Sequence, residues 1–279
     1  MCGERSARFF MYTDWFGEPV DLLKCPRCGH GFHASRYTDD QFAALYQGAY
    51  AQEYLGGDDP LFAQRQIQYK QDLAWLQEQV PALGSQEPVS ALDVGCSSGL
   101  YLDAMPPHWR KHGFEVNPVH VAHIRDHKPS IELHPSFGEV PGGLDLITLR
   151  GVIEHMQDHQ PLIDLLARAL RPQGLLFISA TPDFSSPCAA LYREQWNQIA
   201  CPEHIHQFTP ASLSYLLARA GLVLRALHHP YMGTPYEQWA TDSQTILRNQ
   251  RAAQNSQAPQ GTRHAACGNM MSLLFEKAG

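Results

Sequence analysis

The stretch Ala91-Leu92-Asp93-Val94-Gly95-Cys96-Ser97-Ser98-Gly99-Leu100-Tyr101 decides how this chain is read. Its short apolar run with β-branched Val94 predicts a buried strand. The Gly/Ser run after it predicts a tight turn that hands over to a helix beginning near Gly99. Gly95 and Gly99 carry no Cβ, so a ligand can lie against the backbone, and the helix N-terminus offers unpaired N–H groups to a carboxylate. Such a loop binds a nucleotide-like cofactor. A dinucleotide turn would read G-x-G-x-x-G. Here the pattern is Asp93-x-Gly95-x-Ser97-x-Gly99, with an acidic strand end and no third glycine at position 100, which speaks against an NAD-dependent dehydrogenase. An acidic residue about twenty positions on, Glu115 in Gly113-Phe114-Glu115-Val116-Asn117-Pro118, ends the next apolar strand, where a carboxylate can take both ribose hydroxyls.

The rest of the composition bounds the class. With 279 residues, 44% hydrophobic and 18% charged, the chain is long enough for one sizeable domain plus an appendage. A formal charge of −7 and a pI of about 6.1, with no basic stripe, argue against nucleic acid as a partner. No apolar run approaches the ~20 residues needed to cross a bilayer, and Met1-Cys2-Gly3-Glu4-Arg5 is unlike a signal peptide, so the expected setting is cytoplasmic, away from membranes. Seven cysteines spread over the chain do not suggest a disulfide framework. Oligomeric state leaves no mark in the sequence.

Three further features join the first stretch. The run Leu144-Asp145-Leu146-Ile147-Thr148-Leu149-Arg150-Gly151-Val152-Ile153-Glu154-His155-Met156-Gln157-Asp158 precedes Leu170-Arg171-Pro172-Gln173-Gly174-Leu175-Leu176, and Cys25-Pro26-Arg27-Cys28-Gly29-His30 lies near the start. Together with the Gly/Ser loop, the first two resemble the motifs of class I S-adenosylmethionine (SAM) methyltransferases over most of residues 90–182. Ser97 stands where that family usually has its middle glycine, and Leu144 replaces the usual aromatic. The resemblance implies an α/β fold: a Rossmann-like seven-stranded sheet of order 3-2-1-4-5-7-6 with strand seven antiparallel, preceded by a zinc-knuckle-like segment and a helical cap. The implied organisation is 1–38 for the knuckle segment, 39–84 for the cap, and 85–279 for the core, with a 231–268 insertion as a substrate lid. The alternative for that insertion is a surface loop. It further implies SAM as cofactor, held by Asp93, Gly95, Cys96, Ser97, Gly99, Glu115 and Val116. Phe137 and Gly138 would lie beside adenine, and Leu149 and Arg150 beside the methionine part. Asp93 is expected to orient the methionine amino end through the loop N–H groups it helps fix.

A C-x-x-C turn followed by glycine is half a zinc knuckle, because two thiolates on a tight turn converge on one tetrahedral ion. A subfamily found in sugar and natural-product pathways opens with paired knuckles, and Cys2-Gly3 falls where the first pair's second cysteine would be. That resemblance implies a structural zinc on Cys2, Cys25 and Cys28, with His30 or His33 as fourth ligand. A turn without metal is the alternative. Helical patterning is expected after Thr38 and again over 61–80, with Tyr50 and Tyr54 either closing over the cofactor or packing in the cap. Later, Pro202-Glu203-His204-Ile205-His206-Gln207-Phe208 resembles the E-H-x-x-x-F signature after strand five, although Cys201-Pro202 replaces the usual aromatic. The implied base is His204, assisted by Glu203, with His155 as a second candidate or a structural group at the cleft floor. The implied activity is methyl transfer to a small molecule, by O- or C-methylation of a sugar or secondary metabolite. Two other readings stand beside it: an N- or S-methyltransferase needing no base, and a non-catalytic SAM-binding or zinc-bearing interaction module.

Overall fold

The computed structural model describes all residues except 1, 5, 16–17, 39, 42–60, 200–202 and 260–267. The expectations on Tyr50, Tyr54 and Cys201-Pro202 lie outside the described residues. Seven strands build the main sheet: β4 (Ser90–Val94), β5 (Arg110–Phe114), β6 (Ile131–Leu133), β7 (Leu144–Arg150), β8 (Leu170–Pro182), β10 (Leu222–His228) and β11 (Met270–Lys277). Their spatial order is β6-β5-β4-β7-β8-β11-β10. Counted from β4, this is the expected 3-2-1-4-5-7-6. The pairs among β4 to β8 are parallel, and β11 runs antiparallel to both neighbours.

The strands take their places because alternate residues are apolar toward opposite faces, a period-two pattern that buries both sides of a parallel sheet. Leu92, Val94, Ile147, Leu149, Leu176 and Ile178 face one core, completed by the helices Gln160–Ala169 and Pro210–Leu217. Ala91, Leu146, Leu175 and Phe177 face the other, completed by the helices Phe62–Gln79, Leu100–Ala104 and Pro118–His127. Each such side chain is removed from water almost entirely. Truncating one of them, for example Ile147→Ala, costs about 2–5 kcal/mol. Because every βα crossover leaves the sheet at the same edge, the carboxyl ends of β4, β5, β7 and β8 meet there and leave a crevice.

The knuckle segment forms a second, antiparallel sheet from β1 (Arg8–Trp15), β2 (Glu18–Lys24) and β3 (Gly31–His33). Its fourth strand, β9 (His206–Gln207), comes from the loop after β8, so the N-terminal hairpin is stitched to the polar stretch singled out in the sequence. The stitch continues into the next helix. Thr209 caps the helix Pro210–Leu217 in a reciprocal box with Ser212, and its Oγ1 also donates to the carbonyl of Cys28 at 2.7 Å. Within the 231–268 insertion, a helix spans Trp239–Gln254 and packs on the helix Pro187–Tyr192, with Asn249 Nδ2 donating to the Tyr192 hydroxyl at 3.1 Å.

Candidate functional site

A cavity of about 700 Å³ opens at the carboxyl edge of the sheet. At the end under β4, Gly95 takes φ +71° and Gly99 φ +77°. A Cβ on Gly95 would stand 2.7 Å from Cγ2 of Val152, so glycine is needed for space as well as for backbone conformation. Ser97 also sits at positive φ, +49°, which explains why the related motif has glycine at this point and shows that serine bears the strain. The turn is tied to the neighbouring strand: the N–H groups of Gly95 and Cys96 donate to the carbonyl of Phe114 at 2.8 and 3.1 Å. Glu115 completes the frame. Its carboxylate accepts from the N–H groups of Ser97 (2.7 Å), Val116 (2.8 Å) and Asn117 (2.8 Å), bridging the end of β5 to the Gly/Ser loop.

The structure corrects several sequence expectations here. The N–H groups of Gly95 and Cys96 go to Phe114 and that of Ser97 to Glu115, none of these three to Asp93. Asp93 instead accepts from Thr148 Oγ1 at 2.5 Å across the β4–β7 pair, and burial pushes its carboxyl up to about 7. Leu149 points into the core and does not reach the cavity, because the alternation along β7 gives the wall to Arg150. Gly138 lies on the solvent side of its turn while Phe137 alone faces the cavity, its ring 4.4 Å from that of Phe114. Gly99 shapes the helix start from behind the wall. Val116, Cys96 and Ser97 do line it.

Arg150 shows how a sequence reading can find a residue and miss its partners. Its Nε lies 3.2 Å from Asp72 Oδ2, and its guanidinium lies 4.7 Å over the ring of Tyr69, both on the helix Phe62–Gln79. Asp72 also accepts from Gln68 and Ser179, so the buried pair is hydrogen-bonded throughout and ties the helix to the ends of β7 and β8. The amphipathic stripe of that helix was legible; that one of its turns carries the counter-ion of Arg150 was not.

At the far end of the cavity Glu154, His155 and His204 come together, with side-chain ligand atoms all within 4.8 Å of one another. Glu154 is buried, with Thr181 Oγ1 donating to Oε2 at 3.2 Å, and burial pushes its carboxyl up to about 7. Burial likewise holds His155 down at about 3 and His204 at about 4, so both rings are neutral near pH 7. The two rings meet edge to face at 4.7 Å. His204 Nδ1 donates to the carbonyl of Gln198 at 2.8 Å, which leaves its Nε2 with the lone pair. This corrects the role expected of Glu203: a backbone carbonyl, and not that carboxylate, fixes the tautomer, while Glu203 lies on the cavity wall and offers its own backbone oxygen to His155. Glu154 is the member that sequence reasoning undervalued, since the register that buries its carboxylate between β7 and β8 is a tertiary property.

In the knuckle, the sulfurs of Cys2, Cys25 and Cys28 lie within 4.8 Å of one another, with Cys2 and Cys25 3.6 Å apart. His30 is not part of this group. Its Nε2 is 3.1 Å from His206 Nδ1, turned into a buried stack with Phe32 and Phe208, so the expectation of His30 as fourth ligand is corrected. His206 in turn packs against His159, which donates through Nε2 to the carbonyl of Ile153 at 3.0 Å. Of the 231–268 insertion, none of the described residues lines the cavity.

A glycine cradle, a carboxylate framing it from the next strand and a cavity spanning the sheet's carboxyl edge define a class I SAM-dependent methyltransferase. The chain belongs to the methyltransferase-domain family, whose model matches residues 63–227, more than half of its length. It is similar to the ubiquinone biosynthesis O-methyltransferase of Xylella fastidiosa (strain 9a5c), 26% identical over 215 residues that cover 72% of this chain and 82% of the relative. The protein of that name from Xanthomonas euvesicatoria pv. vesicatoria (strain 85-10) is 25% identical over 238 residues, covering 78% of this chain and 91% of the relative. Among solved structures, the fold is shared with the magnesium protoporphyrin IX methyltransferase of Synechocystis PCC 6803 with bound SAH, at TM-score 0.54 and 13% identity, covering 86% of this chain and all of that one. No helix among the described residues is long and apolar enough to cross a membrane.

Proposed function

We propose that this enzyme methylates a hydroxyl of a small molecule and that His204 accepts the hydroxyl proton. SAM supplies the methyl group. The protein's part is to align the acceptor oxygen and take its proton as the new O–C bond forms and the S–C bond breaks. The observation that carries this reading is the tautomer of His204: with Nδ1 committed to Gln198, Nε2 is a neutral acceptor inside the cavity. Glu154, ionised above about pH 7, then faces the imidazolium that forms and balances its charge. An amine or thiol acceptor would need neither group. The O-methyltransferase names of the sequence relatives support the hydroxyl. A phenol or enol matches such a weak base better than a sugar hydroxyl, because its proton is less tightly held.

Incubation of the purified chain with labelled SAM and a panel of catechols, sugars, amines and thiols, read by mass spectrometry, tests the assignment. Methylation of phenolic hydroxyls is expected, with His204→Ala lowering turnover at least about 100-fold and SAM affinity staying within a factor of a few. Amine or thiol products formed at wild-type rate by His204→Ala would overturn it.

We also infer a structural zinc on Cys2, Cys25 and Cys28. Tetrahedral Zn–S bonds of about 2.3 Å place sulfurs about 3.8 Å apart, which matches the observed cluster. Burial pushes the Cys28 thiol up to about 11, so without an ion it stays protonated. The ion would join the N-terminus to β2 and, through the carbonyl of Cys28 and Thr209, to the helix Pro210–Leu217.

A further inference from the structure

At the edge of the main sheet, away from both sites described above, three side chains converge. His112 on β5 pairs directly with Glu132 on β6 in the parallel register, and His134 follows two residues later on the same face. His112 Nδ1 is 3.0 Å from His134 Nε2 and 3.5 Å from a Glu132 carboxylate oxygen, and all three ligand atoms lie within 4.8 Å of one another. The two imidazoles are buried, stacked with centroids 5.2 Å apart, while Glu132 reaches solvent.

We propose that His112, Glu132 and His134 bind a divalent transition-metal ion, with zinc as the matching chemistry. Two imidazoles and a carboxylate are a borderline donor set that suits zinc, cobalt or nickel, and leave further positions for water. Two nitrogens 3.0 Å apart subtend about 90° at a metal with bonds of about 2.1 Å, and opening to a tetrahedral angle separates them by only about 0.4 Å. The outer ring atom is already held. His112 Nε2 lies 3.2 Å from Ser90 Oγ, and the backbone N–H of Ser90 donates to Asp145 Oδ2 at 2.8 Å. In the tautomer whose Nε2 proton is directed at Ser90, Nδ1 presents its lone pair toward Glu132 and His134, the orientation that a supporting hydrogen bond imposes on metal-bound histidine. The exposed carboxylate gives the ion its way in. Once bound, the ion replaces the proton shared by the two rings and fastens the edge strand β6 to β5. His112 lies two residues before Phe114, and His134 three before Phe137, whose ring rests on that of Phe114 at the cavity wall.

The test is a calorimetric titration of Zn²⁺ into the full chain carrying Cys25→Ser and Cys28→Ser, which removes two of the three thiols of the other cluster. One ion is expected to bind, and to raise the thermal unfolding midpoint. Adding Glu132→Gln, an exposed and isosteric change, is expected to weaken binding at least tenfold, and adding His134→Gln to abolish it. Adding His155→Gln and His204→Gln together is expected to leave it intact. If His134→Gln fails to fold, as judged by circular dichroism, Glu132→Gln decides alone. No zinc binding in the Cys25→Ser, Cys28→Ser chain, binding indifferent to Glu132→Gln, or binding lost with His155 and His204 overturns the proposal.

Discussion

Two glutamates that line one cavity stand in opposite surroundings. Glu115 sits where three backbone N–H groups converge, so its charge is satisfied by the main chain of the turn it frames. Glu154 is buried with the Thr181 hydroxyl and its own backbone N–H as partners, and burial raises its carboxyl to about 7. The first is an anchor held by the main chain, and the second is a group whose carboxyl is raised into the neutral range. The difference lies in what surrounds two identical side chains, which is how one sheet edge can hold a cofactor at one end and manage a proton at the other.

The sharpest break of this comparison is a pair of substitutions read by two parameters. Glu154→Gln keeps a partner for Thr181 and is expected to lower turnover about 10²–10⁴-fold with SAM affinity nearly unchanged. The rise of turnover through about pH 7 should vanish with it, since that limb belongs to the ionisation of Glu154. Glu115→Ala is expected to do the reverse, weakening SAM at least tenfold through loss of ~1.5–3 kcal/mol while turnover at saturating SAM changes less. If both variants moved the same parameter, the two ends would not be distinct.

A second effect, smaller at neutral pH, concerns the histidines that back the acceptor end. His30, His155, His204 and His206 are all held below their ordinary range by burial. Below about pH 6.5 the unfolded chain binds protons that the folded chain refuses, so this stability is complete above that pH and is lost as pH falls toward the folded values. The thermal midpoint should therefore drop steeply between about pH 6.5 and 4, and His206→Gln should flatten that slope. The smallest effect belongs to the cofactor end. Ser97→Gly removes a side chain from a positive-φ position and is expected to raise the unfolding midpoint slightly, by about 0.5–1 kcal/mol in stability, without weakening SAM binding.

The cofactor end was legible because its chemistry is local. Gly95, Gly99 and Glu115 are dictated by turn geometry and strand register within about twenty-five residues, and the seven-strand order was implied by the family resemblance of the motifs. The acceptor end was not, because its decisive contacts join distant segments. His204 takes its tautomer from Gln198 inside a loop, Glu154 is buried by Thr181 of the next strand, and Arg150 finds Asp72 78 residues upstream. His30 shows the same limit: next to a C-x-x-C turn it resembles a ligand, yet its ring belongs to a stack completed by His206, 176 residues later. Glu132-Leu133-His134 carried the alternation of a strand face, but only the pairing with β5 brings His112 beside it.

The fourth strand of the N-terminal sheet carries a consequence for how the protein is made. β3 leaves the ribosome well before β9, and the backbone groups on its outer edge find their partners only when β9 emerges. At translation rates of about 5–20 residues per second, a separation of 176 residues leaves that edge open for about 9 to 35 seconds in every nascent chain. For that interval the hairpin is an unpaired template able to recruit any extended segment nearby, including the same hairpin of a neighbouring nascent chain on one polysome.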